Sequence, residues 1–214
     1  MVRLKELFQR VFLSRSDVIP EQVTWALVEA ARKLANDTGL LTDVVLFTLA
    51  EDAWSVTLAD PDGRERRSIE RIELWDFDLE QWRQIDPLAK VYLTAGTVAV
   101  ESLDAAEPYQ WTEKDGNILF QSPADDTYSL RAEITWIPTR NPIPDDLPFP
   151  SDAEEALIFW AKKLIFDIDG AKMNPKLAAQ AEKDYQGELP GLCHLSQDGQ
   201  VGGRTINDWL PYEG

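Results

Sequence analysis

Apolar residues recur at helical spacing in two stretches near the start of the chain. Leu4, Leu7 and Val11 lie three or four residues apart, which predicts a short amphipathic helix. A longer apolar stripe predicts a second helix, which begins at Pro20 because proline suits a first turn and ends before Gly39 because glycine ends helices. Such stripes are typical of helices that pack against a core.

The middle of the chain changes to the alternation that is typical of β-strands. Between residues 130 and 136, apolar side chains occupy every second position, as in a strand with one buried face. The Asp115–Gly116 pair predicts a tight hairpin turn. Short strands separated by turns favour an antiparallel sandwich or barrel-like sheet. Strands are predicted at 44–49, 54–58, 69–75, 91–93, 98–100, 109–111, 118–120 and 130–136.

A proline-rich segment separates these strands from the C-terminal helices. Five of the thirteen prolines lie in residues 138–150, and this density predicts an extended strap. Ser151 and Glu154 then have the spacing of a capping box at a helix start. The Asn174–Pro175 pair predicts a last helix, with asparagine as N-cap and proline at the first helical position, that ends near Gln186.

These elements predict an α+β fold, in which a helical bundle from the N- and C-terminal helices packs with an antiparallel β-rich middle. The helices from both ends are expected to pack together because neither pair has a complete core alone. The predicted regions are N-terminal helices over 1–40, a β-rich region over 41–137, a proline strap with a C-terminal helical pair over 138–190, and an extended C-terminal arm over 191–214.

The chain is strongly acidic, with 38 acidic and 21 basic side chains and a formal net charge of −17. Such a surface repels phosphate, so ordinary nucleic-acid binding is not expected. Residues 1–35 carry six basic and four acidic side chains, which leaves −19 on the rest of the chain. Two readings fit this asymmetry: plain solubility, or a surface that lies close to DNA without holding it.

The sequence predicts no catalytic, cofactor or metal site. Cys193 and His194 are adjacent, and adjacent residues point in different directions, so a nucleophilic pair is not expected. The single cysteine also argues against an internal disulfide and a cysteine-based zinc site. The run from Asp167 to Gly170 matches only half of a calcium loop. Neither a signal peptide nor a membrane span is expected, because long apolar runs are missing.

The order of elements in the second half of the chain is distinctive. Together with the helix over 23–39, it resembles the head–tail adaptor proteins of short-tailed bacteriophages, the tail tubular protein A-like family. The matching features, in order, are Leu119–Phe120 with Pro123, the strand from Leu130 to Pro138, the strap at Asp145–Asp146–Leu147–Pro148, the helix from Ser151, and the helix from Asn174–Pro175 through Ala178, Ala181 and Tyr185.

This resemblance implies a structural virion protein with no enzymatic activity and no cofactor. Its members form rings of about twelve copies, which lie beneath the portal protein and contact tail-tube or nozzle proteins. The expected location is the head–tail junction of the virion, and the host cytoplasm during assembly. DNA passes through the lumen of the ring during ejection without specific binding, and no membrane is involved.

Two apolar segments are candidate docking sites for these partners. The C-terminal arm is polar but ends in apolar residues, which suits coupled folding and binding, although a terminus without function is an equal alternative. A loop predicted between residues 75 and 87 would form an exposed apolar patch. The candidate docking residues are Ile206, Trp209, Leu210 and Tyr212 in the arm, and Trp75, Phe77 and Trp82 in the loop.

Other classes of function stay open at the level of sequence. The eight tryptophans suit a carbohydrate-binding module, and the net charge of −17 suits a DNA mimic. A hydrolase with two carboxylates in one cleft is a third possibility, because the spacing of such a pair exists only in the fold. A sugar binder should display coplanar exposed tryptophans, whereas a hydrolase should display a carboxylate of perturbed pKa in a cleft.

Overall fold

The chain forms two compact units in a mixed α+β arrangement. One, here called the helical unit, contains residues 1–42, 62–65 and 136–214, and the other, the sheet unit, contains residues 43–61 and 66–135. The computed structural model describes residues 2–15, 17–60, 64–88, 104–140, 146–169 and 173–197.

Among the described residues, the helical unit contains four α-helices, and most of their bounds follow local signals in the sequence. They are α1 (Leu4–Phe12), α2 (Pro20–Thr38), α3 (Glu154–Asp167) and α4 (Pro175–Gln197). The predicted end of α2 is confirmed, because Gly39 adopts a left-handed φ of 66°. The predicted N-cap of α4 is confirmed as well, since the Leu177 amide donates to Asn174 Oδ1 at 3.1 Å.

The core of the helical unit collects the apolar faces of three helices. Its buried residues include Val23, Leu27, Ala30 and Leu34 of α2, Leu157, Ala161 and Ile165 of α3, and Ala178, Ala181 and Tyr185 of α4. Polar contacts join the same helices. The Arg15 guanidinium donates to the backbone oxygens of Ile165 and Ile168 at 2.6 and 2.9 Å. The connection between α1 and α2 is therefore fixed to the end of α3.

Nine strands are described, seven of them in one sheet. They are β1 (Val2–Arg3), β2 (Thr42–Leu49), β3 (Ser55–Thr57), β4 (Arg64–Asp76), β5 (Gln81–Pro87), β6 (Gln110–Lys114), β7 (Asn117–Phe120), β8 (Tyr128–Pro138) and β9 (Asp146–Leu147). The order in the large sheet is β2-β8-β4-β5-β6-β7-β3, and β1 pairs with β9. The predicted hairpin turn is confirmed: Asp115 and Gly116 have φ values of 50° and 81° between β6 and β7.

The large sheet is mixed, which corrects the prediction of a purely antiparallel β-rich region. Strands β5 and β6 run parallel, with Asp86 opposite Gln110. Parallel neighbours need a long connection, and 22 residues separate the end of β5 from the start of β6 in the sequence. The sheet also curls, because its first and last strands, β2 and β3, are joined by residues 50–54, which span at most about 20 Å.

The segment predicted as a loop from residue 75 to residue 87 is instead a β-hairpin. Strand β4 continues to Asp76, the chain turns through residues 77–80, and β5 begins at Gln81. The prediction failed because the turn has no glycine or proline to mark it. Its tightest position is taken by Glu80, a non-glycine residue with a φ of 49°.

Two predicted boundaries in the C-terminal region are also wrong. Helix α4 continues through Pro190 to Gln197, where an end near Gln186 and an extended arm from residue 191 were expected. The burial of Leu192, which is 3% exposed, explains the extra turns, because tertiary packing overrides weak helix propensity. The expected capping box at Ser151 is absent: residues Ser151–Ala153 form a 3₁₀ turn before α3.

Some predicted features lie outside the described residues. These are the strands at 91–93 and 98–100 and the part of the proline strap at 141–145. Among the helices that are described, none combines the length and the apolar character needed to cross a membrane.

Candidate functional site

The β4–β5 hairpin carries the cluster of apolar side chains that the sequence analysis singled out. We call Trp75, Phe77, Leu79 and Trp82 the aromatic hairpin. Trp75 and Trp82 are directly opposite each other across the two strands. The turn between them is closed by Asp76, whose Oδ1 accepts the amides of residues 78 and 79, both at 3.0 Å. An Asx-type turn of this kind fixes the chain reversal without glycine.

The aromatic rings of the hairpin pack edge to face. The Trp75 and Trp82 centroids are 5.3 Å apart with their planes inclined by 64°. Phe77 adds a perpendicular contact with Trp75 at 6.4 Å. Edge-to-face pairs contribute about 0.5–1.5 kcal/mol beyond their buried area. This packing restricts the rotamers of Trp75 and Trp82.

Charged side chains support the base of the hairpin from the next strands. The Arg131 guanidinium of β8 lies 4.5 Å from the centroid of the Trp82 ring and donates to Glu73 of β4. Arg83 forms ion pairs with Asp76 and Glu107. The cation–π contact and the ion pairs restrict the rotamers of both arginines.

The tip of the hairpin projects apolar surface into solvent. Phe77 is 72% exposed and Leu79 is 61% exposed. Single exposed apolar residues are common on protein surfaces. Here two large ones are exposed next to a packed tryptophan pair, so together they form an apolar patch. The exposed tip of the hairpin is therefore suited to bind a partner through apolar contacts.

A second feature, on the helical unit, escaped the sequence analysis. A cavity of about 290 Å³ lies along one face of α2, and Arg140 from outside the helix adds to its lining. We call it the α2 groove. Its lining residues are Pro20, Glu21, Thr24, Trp25, Val28, Glu29 and Arg140. Residues 21, 24, 25 and 28 lie on one face of the helix. Their spacing of three or four positions in the sequence is sufficient to predict this shared face.

Ion pairs fix the outer wall of the α2 groove. Arg140 donates two hydrogen bonds to the Glu29 carboxylate, at 2.7 and 3.1 Å. Arg32, one turn further along α2, donates to the backbone oxygen of Pro138 and to Glu65. The hydrogen bond from Arg32 lowers the pKa of Glu65 despite its partial burial. The wall therefore depends on chain segments that are distant in sequence, which is why no local signal predicted it.

The hydrogen bond to Glu29 raises the pKa of Arg140 in the α2 groove, and two tyrosines outside the groove have raised pKa values as well. Burial, followed by the hydrogen bond to Asp37, raises the pKa of Tyr185. Burial and the neighbouring Asp125 raise the pKa of Tyr128 to about 12. In the part of the chain that the structure describes, no group of three or more metal-ligating side chains is present.

The structure brings together Trp75, Phe77 and Trp82, the predicted docking residues of the middle region. The predicted docking residues of the C-terminal arm, Ile206, Trp209, Leu210 and Tyr212, lie outside the described residues. The described residues thus form an exposed apolar hairpin tip on the sheet unit and a largely apolar groove on the helical unit. Against known proteins, the chain matches no family model and no curated sequence.

Proposed function

We propose that this protein is a non-enzymatic structural subunit of a tailed bacteriophage, a ring-forming adaptor that joins the portal to the tail. In this proposal the ring lies at the head–tail junction of the virion, contacts the portal and the tail-tube or nozzle proteins, and forms part of the DNA ejection channel. The proposal rests first on the order of sequence elements that resembles the tail tubular protein A-like family.

The observation that carries the proposal is the presence of two unlike contact surfaces on one small chain. The sheet unit bears the exposed tip of the aromatic hairpin, and the helical unit bears the α2 groove. A subunit with two different contact surfaces can bind neighbours head to tail, and head-to-tail interfaces generate rings when the rotation closes. A monomeric binding module needs only one such surface.

We further propose that the four helices form the bundle that the family resemblance implies. Contacts between the two ends of the chain support it. Tyr185 of α4 donates its hydroxyl hydrogen bond to Asp37 of α2 at 2.7 Å, and its ring packs on Trp160 of α3 at 4.8 Å between centroids. Helices from both termini thereby share one core, as a bundle requires.

The acidic surface supports a role beside DNA that does not hold it. A net charge of −17 repels the phosphate backbone, so DNA in a lumen lined by such subunits would slide rather than stick. Counterion-mediated binding requires clusters of basic residues, and basic side chains number 21 against 38 acidic ones.

The geometry favours this adaptor over a carbohydrate-binding module. A sugar ring stacks on tryptophans that offer a flat platform, whereas Trp75 and Trp82 are inclined by 64°. For the hydrolase alternative, Glu65 is unsuited to the role of general acid, because the hydrogen bond from Arg32 lowers its pKa and keeps it ionised at neutral pH.

The test of the proposal is the mass of the purified protein, measured by light scattering alone and after mixing with the portal protein of the same genome. A ring of about a dozen copies, or a monomer that assembles on the portal, is the expected result. A protein that stays monomeric and ignores the portal at high concentration contradicts the adaptor role. Electron microscopy of the mixture then shows whether the assembled copies lie beneath the portal.

A further inference from the structure

Acidic and apolar residues alternate at the tip of the aromatic hairpin. The five residues from Asp76 to Glu80 read Asp, Phe, Asp, Leu and Glu, so three carboxylates surround two apolar side chains. Both apolar side chains are well exposed, Phe77 at 72% and Leu79 at 61%. A partner that covers this apolar patch must therefore also come close to the carboxylates.

The first of these carboxylates already has partners within the hairpin. Asp76 Oδ1 accepts the backbone amides of residues 78 and 79, and its Oδ2 lies 3.9 Å from Nε of Arg83. Arg83 also pairs with Glu107, so two carboxylates share its positive charge. The cation at the base of the turn is thus already engaged, and the tip keeps an excess of negative charge.

The other two carboxylates of the tip, those of Asp78 and Glu80, have no such partners. Both residues are exposed, and within the described part of the chain neither carboxylate takes part in a hydrogen bond or an ion pair. Removing an unpaired carboxylate from water costs free energy unless the partner supplies an opposite charge. A contact that buries Phe77 and Leu79 therefore favours a partner with basic side chains around its apolar surface.

We propose that the tip of the aromatic hairpin docks on another protein, at an apolar pocket bordered by lysine or arginine side chains. Phe77 and Leu79 enter the pocket, while Asp78 and Glu80 meet the basic side chains at its rim. The apolar side chains supply most of the affinity, and the charges select the partner and speed its approach. The inference concerns the tip alone and goes beyond the adaptor role, so it does not depend on ring formation.

The α2 groove of a second copy does not provide a pocket of this kind. Glu21 and Glu29 line the groove, and Arg140 already donates two hydrogen bonds to Glu29. An acidic tip is repelled by such a lining rather than attracted to it. Nucleic acid and anionic lipid headgroups are disfavoured for the same reason, since both carry negative charge. The chemistry of the tip therefore favours a basic protein surface.

The probe is a fluorescently labelled synthetic peptide of leucine and lysine, patterned as an amphipathic helix so that lysines border its apolar face. Two further peptides keep the pattern, one with glutamate in place of lysine and one with serine in place of leucine. Phe77→Gln removes the ring from the tip. The double variant Asp78→Asn with Glu80→Gln removes both free charges and leaves Asp76, which closes the turn, in place.

Each variant has a matched control on the same sheet unit. Leu46→Gln replaces an apolar side chain that is 51% exposed on β2. Glu51→Gln with Asp52→Asn removes two exposed carboxylates from another turn, where Asp52 has a φ of 63° against 49° for Glu80. Circular dichroism checks that all four variants are folded.

Fluorescence anisotropy measures the dissociation constants. The wild type and both control variants bind the leucine–lysine peptide alike, and the wild type binds the other two peptides at least about tenfold more weakly. Phe77→Gln weakens binding of the leucine–lysine peptide at least about tenfold, as loss of an aromatic anchor should. Asp78→Asn with Glu80→Gln weakens it about threefold or more at low salt and reduces its dependence on salt, because exposed charges are screened.

Several results overturn the inference. If the wild type binds none of the peptides, or Phe77→Gln binds like the wild type, the tip is not a site of this chemistry. Equal binding of the serine–lysine peptide, or no effect of removing the charges of Asp78 and Glu80, contradicts recognition by both charge and apolar contact. Self-association that Phe77→Gln abolishes would make a second copy the occupant, and binding to phosphatidylcholine vesicles that it abolishes would make a lipid surface the occupant. None of these results changes the mass measurement that tests the adaptor role.

Discussion

The helical unit and the sheet unit are held together by different kinds of contact. In the helical unit, buried polar groups join segments far apart in sequence: Arg15 and Ile165 are 150 positions apart, and Tyr185 and Asp37 are 148 apart. In the sheet unit, two hairpins occur among strand pairings that are otherwise distant in sequence, and ion pairs such as Arg71–Glu133 lie where solvent reaches them.

This difference determines where single substitutions should matter most. Removing the partner of a buried polar group, such as the backbone oxygen of Ile165 that Arg15 binds, leaves that group without water to replace it, at its full desolvation cost. Removing one charge of an exposed pair such as Arg71–Glu133 leaves a partner that solvent can reach, and exposed ion pairs contribute only about 0–1 kcal/mol. Polar substitutions should therefore destabilise the helical unit more than the sheet unit.

The largest effect is expected for Arg15→Ala. The Arg15 side chain is 3% exposed, and it donates to two backbone oxygens at the end of α3 and to Asp17. Removal of one partner from a buried charged contact costs about 3 kcal/mol. Urea unfolding monitored by tryptophan fluorescence measures the change. Arg10→Ala is the matched control, because its side chain is 46% exposed and its pairing with Glu155 should contribute less than about 1 kcal/mol. Equal losses for both variants would contradict the comparison.

The buried hydroxyl of Tyr185 gives the next largest effect. Tyr185→Phe removes the hydrogen bond to Asp37 and should lower the free energy of unfolding by about 1.5–2 kcal/mol, because the acceptor is charged. Tyr109→Phe is the matched control, since Tyr109 is 55% exposed on the sheet unit and the same change should be within about 0.5 kcal/mol of neutral.

The raised pKa of Tyr185 adds a dependence on pH with a definite sign. The folded state keeps this hydroxyl protonated above the ordinary tyrosine pKa of 10.0, so it binds more protons than the unfolded state there. The free energy of unfolding of the wild type should therefore fall as the pH rises above about 10. Tyr185→Phe should fall less steeply over the same range. Chemical denaturation at pH 8, 10 and 11 tests this, and identical slopes would count against it.

Local signals in the sequence were sufficient for much of the fold. Gly39 and the Asn174–Pro175 pair predict helix ends correctly, because caps depend on neighbours within a few residues. The parallel pairing of β5 with β6 could not be predicted this way, since it joins strands that 22 residues separate. Helix α4 passes Pro190, and Leu192 beyond it is buried, which no local signal in the sequence predicts.

The candidate site was predicted only in part, for the same physical reason. The aromatic residues of the hairpin were visible as a cluster, yet the strand pairing that sets Trp75 opposite Trp82 was not. The α2 groove was not predicted because Arg140, which adds to its lining, lies 111 positions after Glu29. A surface formed by one hairpin can be predicted from the sequence, because its residues are close along the chain. A groove lined by segments that are distant in sequence cannot be predicted in this way.

Backbone strain should be equal in the two units, which provides a control for the comparison. Gly39 ends α2 with a φ of 66°, and Gly116 turns the β6–β7 hairpin with a φ of 81°. An alanine Cβ meets no close contact at either position, so only the left-handed backbone is penalised, by about 1–2 kcal/mol. Gly39→Ala and Gly116→Ala should therefore destabilise alike in urea unfolding.

Gly187→Ala, inside α4 with open space around it, should stabilise by about 0.5–1 kcal/mol.

The smallest effect concerns the contact of Arg131 with Trp82 at the base of the aromatic hairpin. The guanidinium lies 4.5 Å from the ring centroid and its side chain is 20% exposed, so the contact is only partly removed from solvent. A double-mutant cycle with Arg131→Ala and Trp82→Ala should give a coupling of about 0.5–1 kcal/mol. The equivalent cycle on Arg71 and Glu133, a more exposed ion pair, is the control and should give less. A coupling of several kcal/mol at Arg131 would mean that the sheet unit, like the helical unit, depends on desolvated charge, and the contrast between the two units would be lost.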